Sequence, residues 1–189
     1  PEQEEERSRP RQIPAPPPPP GNDNAGEDDA ADASGHTDAP ALLAFAMEGL
    51  DGNRVDLSDH AGKAVLFVNV ASKCGFTPQY AGLQKLWETY RDRGLVVIGV
   101  PANNFRNQEP GTNCQIAAFC SQNYGVTFPM LAKVSVRGED ICPLYEKLVA
   151  ASDADPGPVK WNFEKFLIGP DGRLASRFRS RVEPMSDEL

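Results

Sequence analysis

The residue best placed for chemistry is Cys74, in Ser72-Lys73-Cys74-Gly75-Phe76-Thr77-Pro78. It follows the apolar run Ala64–Val70 and comes a few residues ahead of a helical pattern. Unpaired N–H groups and the positive end of a helix dipole favour a thiolate at such a position. Lys73 adds a cation that acts in the same direction, and Gly75 lets the backbone approach a small reactant. Position alone leaves a second reading open, a buried structural thiol. Cys120 shares a helix face with Ile116 and Phe119, so it too reads as core when taken singly. Cys114 lies six residues earlier, about 240° round a helix, so the two share neither a face nor a metal. Cys142 precedes a proline at a helix start, and it and Cys114 are expected to be non-catalytic. Phe76 and Thr77 stand where a CxxC motif would place its second thiol, which disfavours a disulfide exchange catalyst of thioredoxin type. With two histidines in all, His36 and His60, no ligand set for zinc or haem is readable. No glycine-rich phosphate loop is present. The expected chemistry needs no cofactor and no metal.

Several elements must position that thiol. Ala44–Glu48 and Arg54–Leu57 flank the turn residues Asp51-Gly52-Asn53, a small hairpin. Ala64–Val70 is rich in β-branched residues and largely apolar, as in a strand buried on both faces. Thr77 is a candidate cap, with Pro78 at the first position of a helix. Tyr80, Leu83, Leu86, Trp87 and Tyr90 recur at helical spacing, and Gly94 ends that stretch. Leu95–Pro101 is the next strand. Thr112 and Gln115 form a capping box for a helix that ends at Tyr124-Gly125. Val126–Leu131 reads as extended and Pro143–Ala151 as a third helix. Trp161–Ile168 and Leu174–Phe178 enclose Pro170-Asp171-Gly172 as a second hairpin. Strand–helix–strand alternation closed by an antiparallel hairpin predicts an α/β, thioredoxin-like layout: a central mixed sheet flanked by helices, with an added N-terminal β-hairpin.

Charge is distributed unevenly over the 189 residues. Residues 1–40 carry ten acidic and three basic side chains, nine of the 18 prolines and no aromatic residue, out of a whole-chain net charge of −8. Such a segment cannot offset its ordering entropy and is expected to be a disordered tail, with residues 41–189 as the folded domain. Pro16–Pro20 reads as a stiff polyproline spacer. An acidic chain without a basic face is a poor partner for nucleic acid, and its longest apolar runs fall far short of a membrane span. The chain opens on Pro1, and a signal or anchor ahead of an acidic spacer favours an exported or periplasmic location. A trimmed start would explain the opening residue as well, so export is only slightly favoured over a cytoplasmic location. Ser186-Asp187-Glu188-Leu189 is similar to a KDEL-type retention signal, although a helix start is the plainer reading.

Three segments carry a wider likeness. Asn69-Val-Ala-Ser-Lys-Cys-Gly-Phe-Thr-Pro-Gln79 resembles the peroxidatic segment of glutathione peroxidases. Phe105-Arg-Asn-Gln-Glu-Pro-Gly111 resembles that family's glutamine motif, and Lys160-Trp-Asn-Phe-Glu-Lys-Phe166 its tryptophan–asparagine motif. All three stand in family order, and the likeness extends over Ala41–Leu189. The resemblance implies a catalytic set of Cys74, Gln108, Trp161 and Asn162: a thiolate that attacks a peroxide oxygen, with amide and indole N–H donors facing the leaving oxygen. It also implies that Cys120, in Phe119-Cys-Ser-Gln-Asn-Tyr-Gly125, resolves the sulfenic acid formed on Cys74, as in the family's thioredoxin-dependent members. If the two thiols sit on different helices, one helix must partly unwind for them to meet.

The expected partners are a hydroperoxide substrate and thioredoxin, or alternatively glutathione, as reductant. A peroxide sensor passing oxidation to a client protein is a further reading, as is an idle binding module, which the complete catalytic set disfavours. Ala151–Pro158 lacks the longer insertion of tetrameric members, so a monomer is expected. Ala102 and Asn104 depart from the family's usual Cys and Gln, which puts in doubt the hydrogen bonding behind the site. The family's last helix is cut short near Met185–Leu189, which would uncover apolar surface.

Overall fold

A computed structural model describes residues 42–189. The acidic tail, its polyproline stretch and the expected boundary near residue 41 lie outside the described residues. The domain opens with a short antiparallel hairpin, β1 (Ala46–Glu48) and β2 (Arg54–Asp56), followed by a 3-10 turn. Then come β3 (Ala64–Val70), α1 (Gln79–Tyr90), β4 (Leu95–Pro101), α2 (Asn113–Tyr124), α3 (Pro143–Ala150), β5 (Lys165–Ile168) and β6 (Leu174–Phe178).

The main sheet runs β4-β3-β5-β6, with β3 and β4 parallel across the α1 crossover and β5 and β6 antiparallel beside them. This is the mixed sheet of a thioredoxin-like α/β fold. Because β3 is central, its side chains are buried on both faces. Val65 and Phe67 join one core with Val96, Ile98 and Val100 and the α3 residues Leu144, Tyr145 and Leu148. Leu66, Val68 and Val70 join the other, with Val97, Tyr80, Leu83 and Leu86 of α1 and Ile116 of α2. The two-residue period of the strand thus supplies both layers.

The capping box of α2 forms as its sequence predicts. Gln115 N donates to Thr112 Oγ1 at 3.3 Å and Thr112 N donates to Gln115 Oε1 at 2.9 Å. Gly125 closes that helix in the left-handed region, φ 59°. The expected extended piece Val126–Leu131 contributes only isolated bridges, Met130 to Gly99 and Leu131 to Gly49. Residues after Phe178 form turns rather than a helix, leaving Met185 exposed while Leu189 packs on the α1 side. Among the described residues, no helix is long and apolar enough to cross a membrane.

Candidate active site

Cys74 sits where β3 has ended and α1 has not yet begun, in a run of tight turns that leaves the residue 9% exposed. Phe76 N donates to Cys74 Sγ at 3.4 Å, so a backbone donor is aimed at the sulfur. The role expected for Thr77 is corrected by the structure. Helix α1 starts at Gln79, with Pro78 before it and no side-chain cap. Thr77 instead faces backwards: its Oγ1 accepts from Cys74 N at 2.9 Å and donates to Ala71 O at 2.8 Å. A hydroxyl that both accepts and donates locks the Cys74 turn at two points, a task that competes with capping.

Two other segments close on this turn. In the loop after β4, Arg106 and Asn107 adopt left-handed φ values of 53° and 52°, which bends the chain back toward Cys74. Lys73 N donates to Gln108 O at 3.0 Å and Ser72 Oγ to Glu109 Oε2 at 3.1 Å, so adjacent residues of both loops are paired. Glu109 is buried, and desolvation pushes its carboxyl up against the pull of Ser72, Lys133 and Lys73. The third segment brings Asn162, fully buried, to Gln108: Asn162 Nδ2 donates to Gln108 Oε1 at 2.9 Å. That bond occupies the Gln108 carbonyl, so its N–H2 is the end left to face a reactant. Trp161 packs its ring 5.6 Å from Phe105, and the Arg106 guanidinium lies 5.4 Å above it. Trp161 also borders the apolar cluster that contains Cys74 and Cys120.

Trp161 and Asn162 do not extend the strand, as their sequence predicts, but form a turn ahead of β5. Distant partners override the local β propensity. Asn69, a buried polar residue of β3, donates through Nδ2 to Trp161 O at 3.0 Å and accepts Glu164 N at 3.1 Å. Phe163 N donates to Asn69 O, and Phe163 itself is left-handed at φ 65°. Glu164 accepts Lys160 N at 2.6 Å and Trp161 N at 3.3 Å on one oxygen; its other oxygen takes Arg177 Nη2 at 2.9 Å and Arg179 Nη1 at 2.7 Å. The local sequence gives Asn69 and Glu164 no supporting role and gives Thr77 that of a helix cap. The visible signal was a lone asparagine in an otherwise apolar strand. Asn104, one of the departures from the family pattern, ties its loop to the next: it donates to Ser135 Oγ at 2.8 Å and Arg137 O at 3.1 Å and accepts Val136 N at 2.9 Å.

All four cysteines are free. Cys120 is buried in α2 beside Tyr80, and burial pushes its thiol up, with Glu109 adding to the rise and the Tyr80 hydroxyl opposing it. Burial likewise raises Cys142, at the start of α3. Cys114 is exposed on the first turn of α2. Although the helix phase separates them, Cys114 and Cys120 border one cavity of about 630 Å³, together with Leu50, Asp51 and Met130. Sequence spacing alone did not anticipate this shared border.

The sequence profile of glutathione peroxidase matches residues 42–149. The chain belongs to the glutathione peroxidase family, in its cysteine form, and is a thiol peroxidase. It is 49% identical to a glutathione peroxidase of Lactococcus lactis subsp. cremoris over 148 residues, which cover 77% of this chain and 94% of that protein. It is 50% identical to the glutathione peroxidase-like peroxiredoxin gpx1 of Schizosaccharomyces pombe, over 71% of this chain and 85% of the relative. The crystal structure of Trgpx in apo form superposes with a TM-score of 0.62 at 39% identity, over 76% of this chain and 87% of that one.

Proposed function

We propose that Cys74 is the peroxidatic thiol and that Gln108, Trp161 and Asn162 stabilise the leaving oxygen, with Cys120 resolving the product and thioredoxin restoring the enzyme. The Cys74 thiolate attacks one oxygen of a hydroperoxide, the O–O bond breaks, and the departing alkoxide or hydroxide is met by N–H donors and protonated. Cys74 then carries a sulfenic acid. The Cys120 sulfur attacks the Cys74 sulfur, a disulfide forms and water leaves. A dithiol partner reduces that bond by exchange.

One observation carries the reading: Gln108 is bonded through its backbone to Lys73 and through its side chain to Asn162, which joins all three segments beside Cys74. Against glutathione as the main reductant stands Cys120, which offers an internal route to a disulfide. The elevated thiol of Cys120 suits a residue kept unreactive until α2 opens, because the thiolate is the nucleophile. The test is a peroxidase assay coupled to thioredoxin and its reductase, run beside one with glutathione. Wild type turns over faster with thioredoxin, Cys74→Ser is inactive, and Cys120→Ser reacts once and stalls unless glutathione is supplied. Sustained thioredoxin-driven turnover by Cys120→Ser would remove the resolving role, and a stall of wild type with both donors would favour the sensor reading.

A further inference from the structure

We propose that Cys114 is a third redox thiol, which takes the disulfide from Cys74 by exchange at Cys120 and leaves a Cys114–Cys120 bond. The proposal rests on the resolving role of Cys120 set out above. Three observations carry it. Cys114 and Cys120 border one cavity, bounded on its other sides by the β1–β2 turn at Leu50 and Asp51 and by the segment from Val126 to Met130. Cys114 is exposed, whereas Cys120 is buried. Of the twelve residues of α2 only Ile116 and Cys120 are buried, whereas α1, of equal length, buries five. A helix with so few buried residues opens locally at lower cost than α1.

In the intact helix the two thiols cannot pair. Six residues at helical rise and phase put their Cα atoms about 10 Å apart, beyond the roughly 7 Å limit for a disulfide. In the resting enzyme the two are therefore not bonded to each other, and both are free thiols. In the resolving step set out above, α2 opens for Cys120 to bond Cys74, and the same opening frees the five residues between Cys114 and Cys120 to fold back over the cavity. The Cys114 thiolate then attacks Cys120 Sγ. The Cys74–Cys120 bond breaks, and Cys74 leaves as a thiolate into the turn where Phe76 N donates to its sulfur. One disulfide replaces another, the proton lost by Cys114 matches the one Cys74 can take up, and no oxidant beyond the original peroxide is needed. The new bond lies toward the exposed start of α2, within reach of a protein dithiol, and Cys74 is free to meet a second peroxide.

The experiment uses the full chain, reduced, freed of reductant and treated with two equivalents of hydrogen peroxide. Peroxide consumption is followed and the disulfides are mapped by mass spectrometry. Wild type is expected to consume about two equivalents and to yield the Cys114–Cys120 crosslink. Cys114→Ser is expected to consume one and to yield Cys74–Cys120, a twofold difference in stoichiometry. Wild type that stops at one equivalent with Cys74–Cys120 alone overturns the relay while leaving the resolving role intact. A Cys114→Ser protein without the Cys74–Cys120 crosslink removes the resolving role, and the relay with it.

Discussion

Replacing Glu164 by glutamine tests what holds the Trp161–Asn162 turn. The carboxylate is 1% exposed and its partner Arg177 2%, while Arg179, at 28%, reaches it from the solvent side. Breaking a buried ion pair from one side costs about 3–5 kcal/mol, since the remaining charge is stranded. Two features place this case near the lower figure. Arg177 retains the carbonyls of Asp155, Gly157 and Pro158 at 3.0, 2.7 and 3.0 Å. The glutamine carbonyl can still accept Lys160 N and Trp161 N. A loss of about 3 kcal/mol, with a urea m-value near 2 kcal/mol/M, lowers the unfolding midpoint by about 1.5 M. Adding Arg177→Met removes the stranded cation, so the double variant should lose less than the sum of the singles, by about 2 kcal/mol. Equilibrium urea unfolding of the four proteins reads both numbers. A cost below about 1 kcal/mol for Glu164→Gln, or strict additivity, would refute the claim that this carboxylate is an electrostatic anchor.

Thr77→Val strands two buried partners, Cys74 N and Ala71 O, and is expected to cost about 2 kcal/mol. It should also slow the reaction of Cys74 with peroxide more than tenfold, with recovery in Thr77→Ser; an unchanged rate in Thr77→Val would show that the turn does not depend on this hydroxyl. Lys165 is fully buried, its Nζ donating to Gln79 Oε1, Phe163 O and Val182 O at 2.7, 2.9 and 2.6 Å. Burial pulls it down to about 8, against the push of Glu183 and Glu164. Between pH 8 and its ordinary value the folded state then holds fewer protons than the unfolded state, so this residue's contribution to stability rises with pH, by up to about 3 kcal/mol. Below pH 8 its full cost remains. The unfolding free energy of wild type minus that of Lys165→Met should therefore increase from pH 7.5 to 10, and a flat difference would contradict the assignment.

The central strands were legible because burial on both faces leaves a largely apolar run, as in Ala64–Val70, and α2 because its capping box is written in two residues three apart, Thr112 and Gln115. Thr77 was misread for a physical reason: one hydroxyl can cap a helix or brace a loop, and neighbouring residues do not say which. The strand expected from Trp161 is shorter because Asn69 and Glu164 impose a turn through bonds that no local propensity reflects. The candidate set itself was readable through its three motifs, whereas the tie between Lys73 and Gln108 runs through backbone atoms and has no side-chain signature. The cavity beside Cys114 was invisible because most of its wall comes from the β1–β2 turn and the segment after α2.

The aromatic side chains around α1 form a chain of their own. Tyr80 meets Phe163 edge-on at 5.5 Å and Tyr124 at 5.4 Å, and Tyr124 in turn lies 5.9 Å from Phe119. One end of that chain is the turn behind Asn162, and the other is the last part of α2. Any oxidation that uncoils the helix must pull two rings away from a third whose environment is otherwise fixed. On the proposed resolving role of Cys120, these rings form an intrinsic optical gauge: near-ultraviolet dichroism should change when the protein is oxidised, without label or added dye.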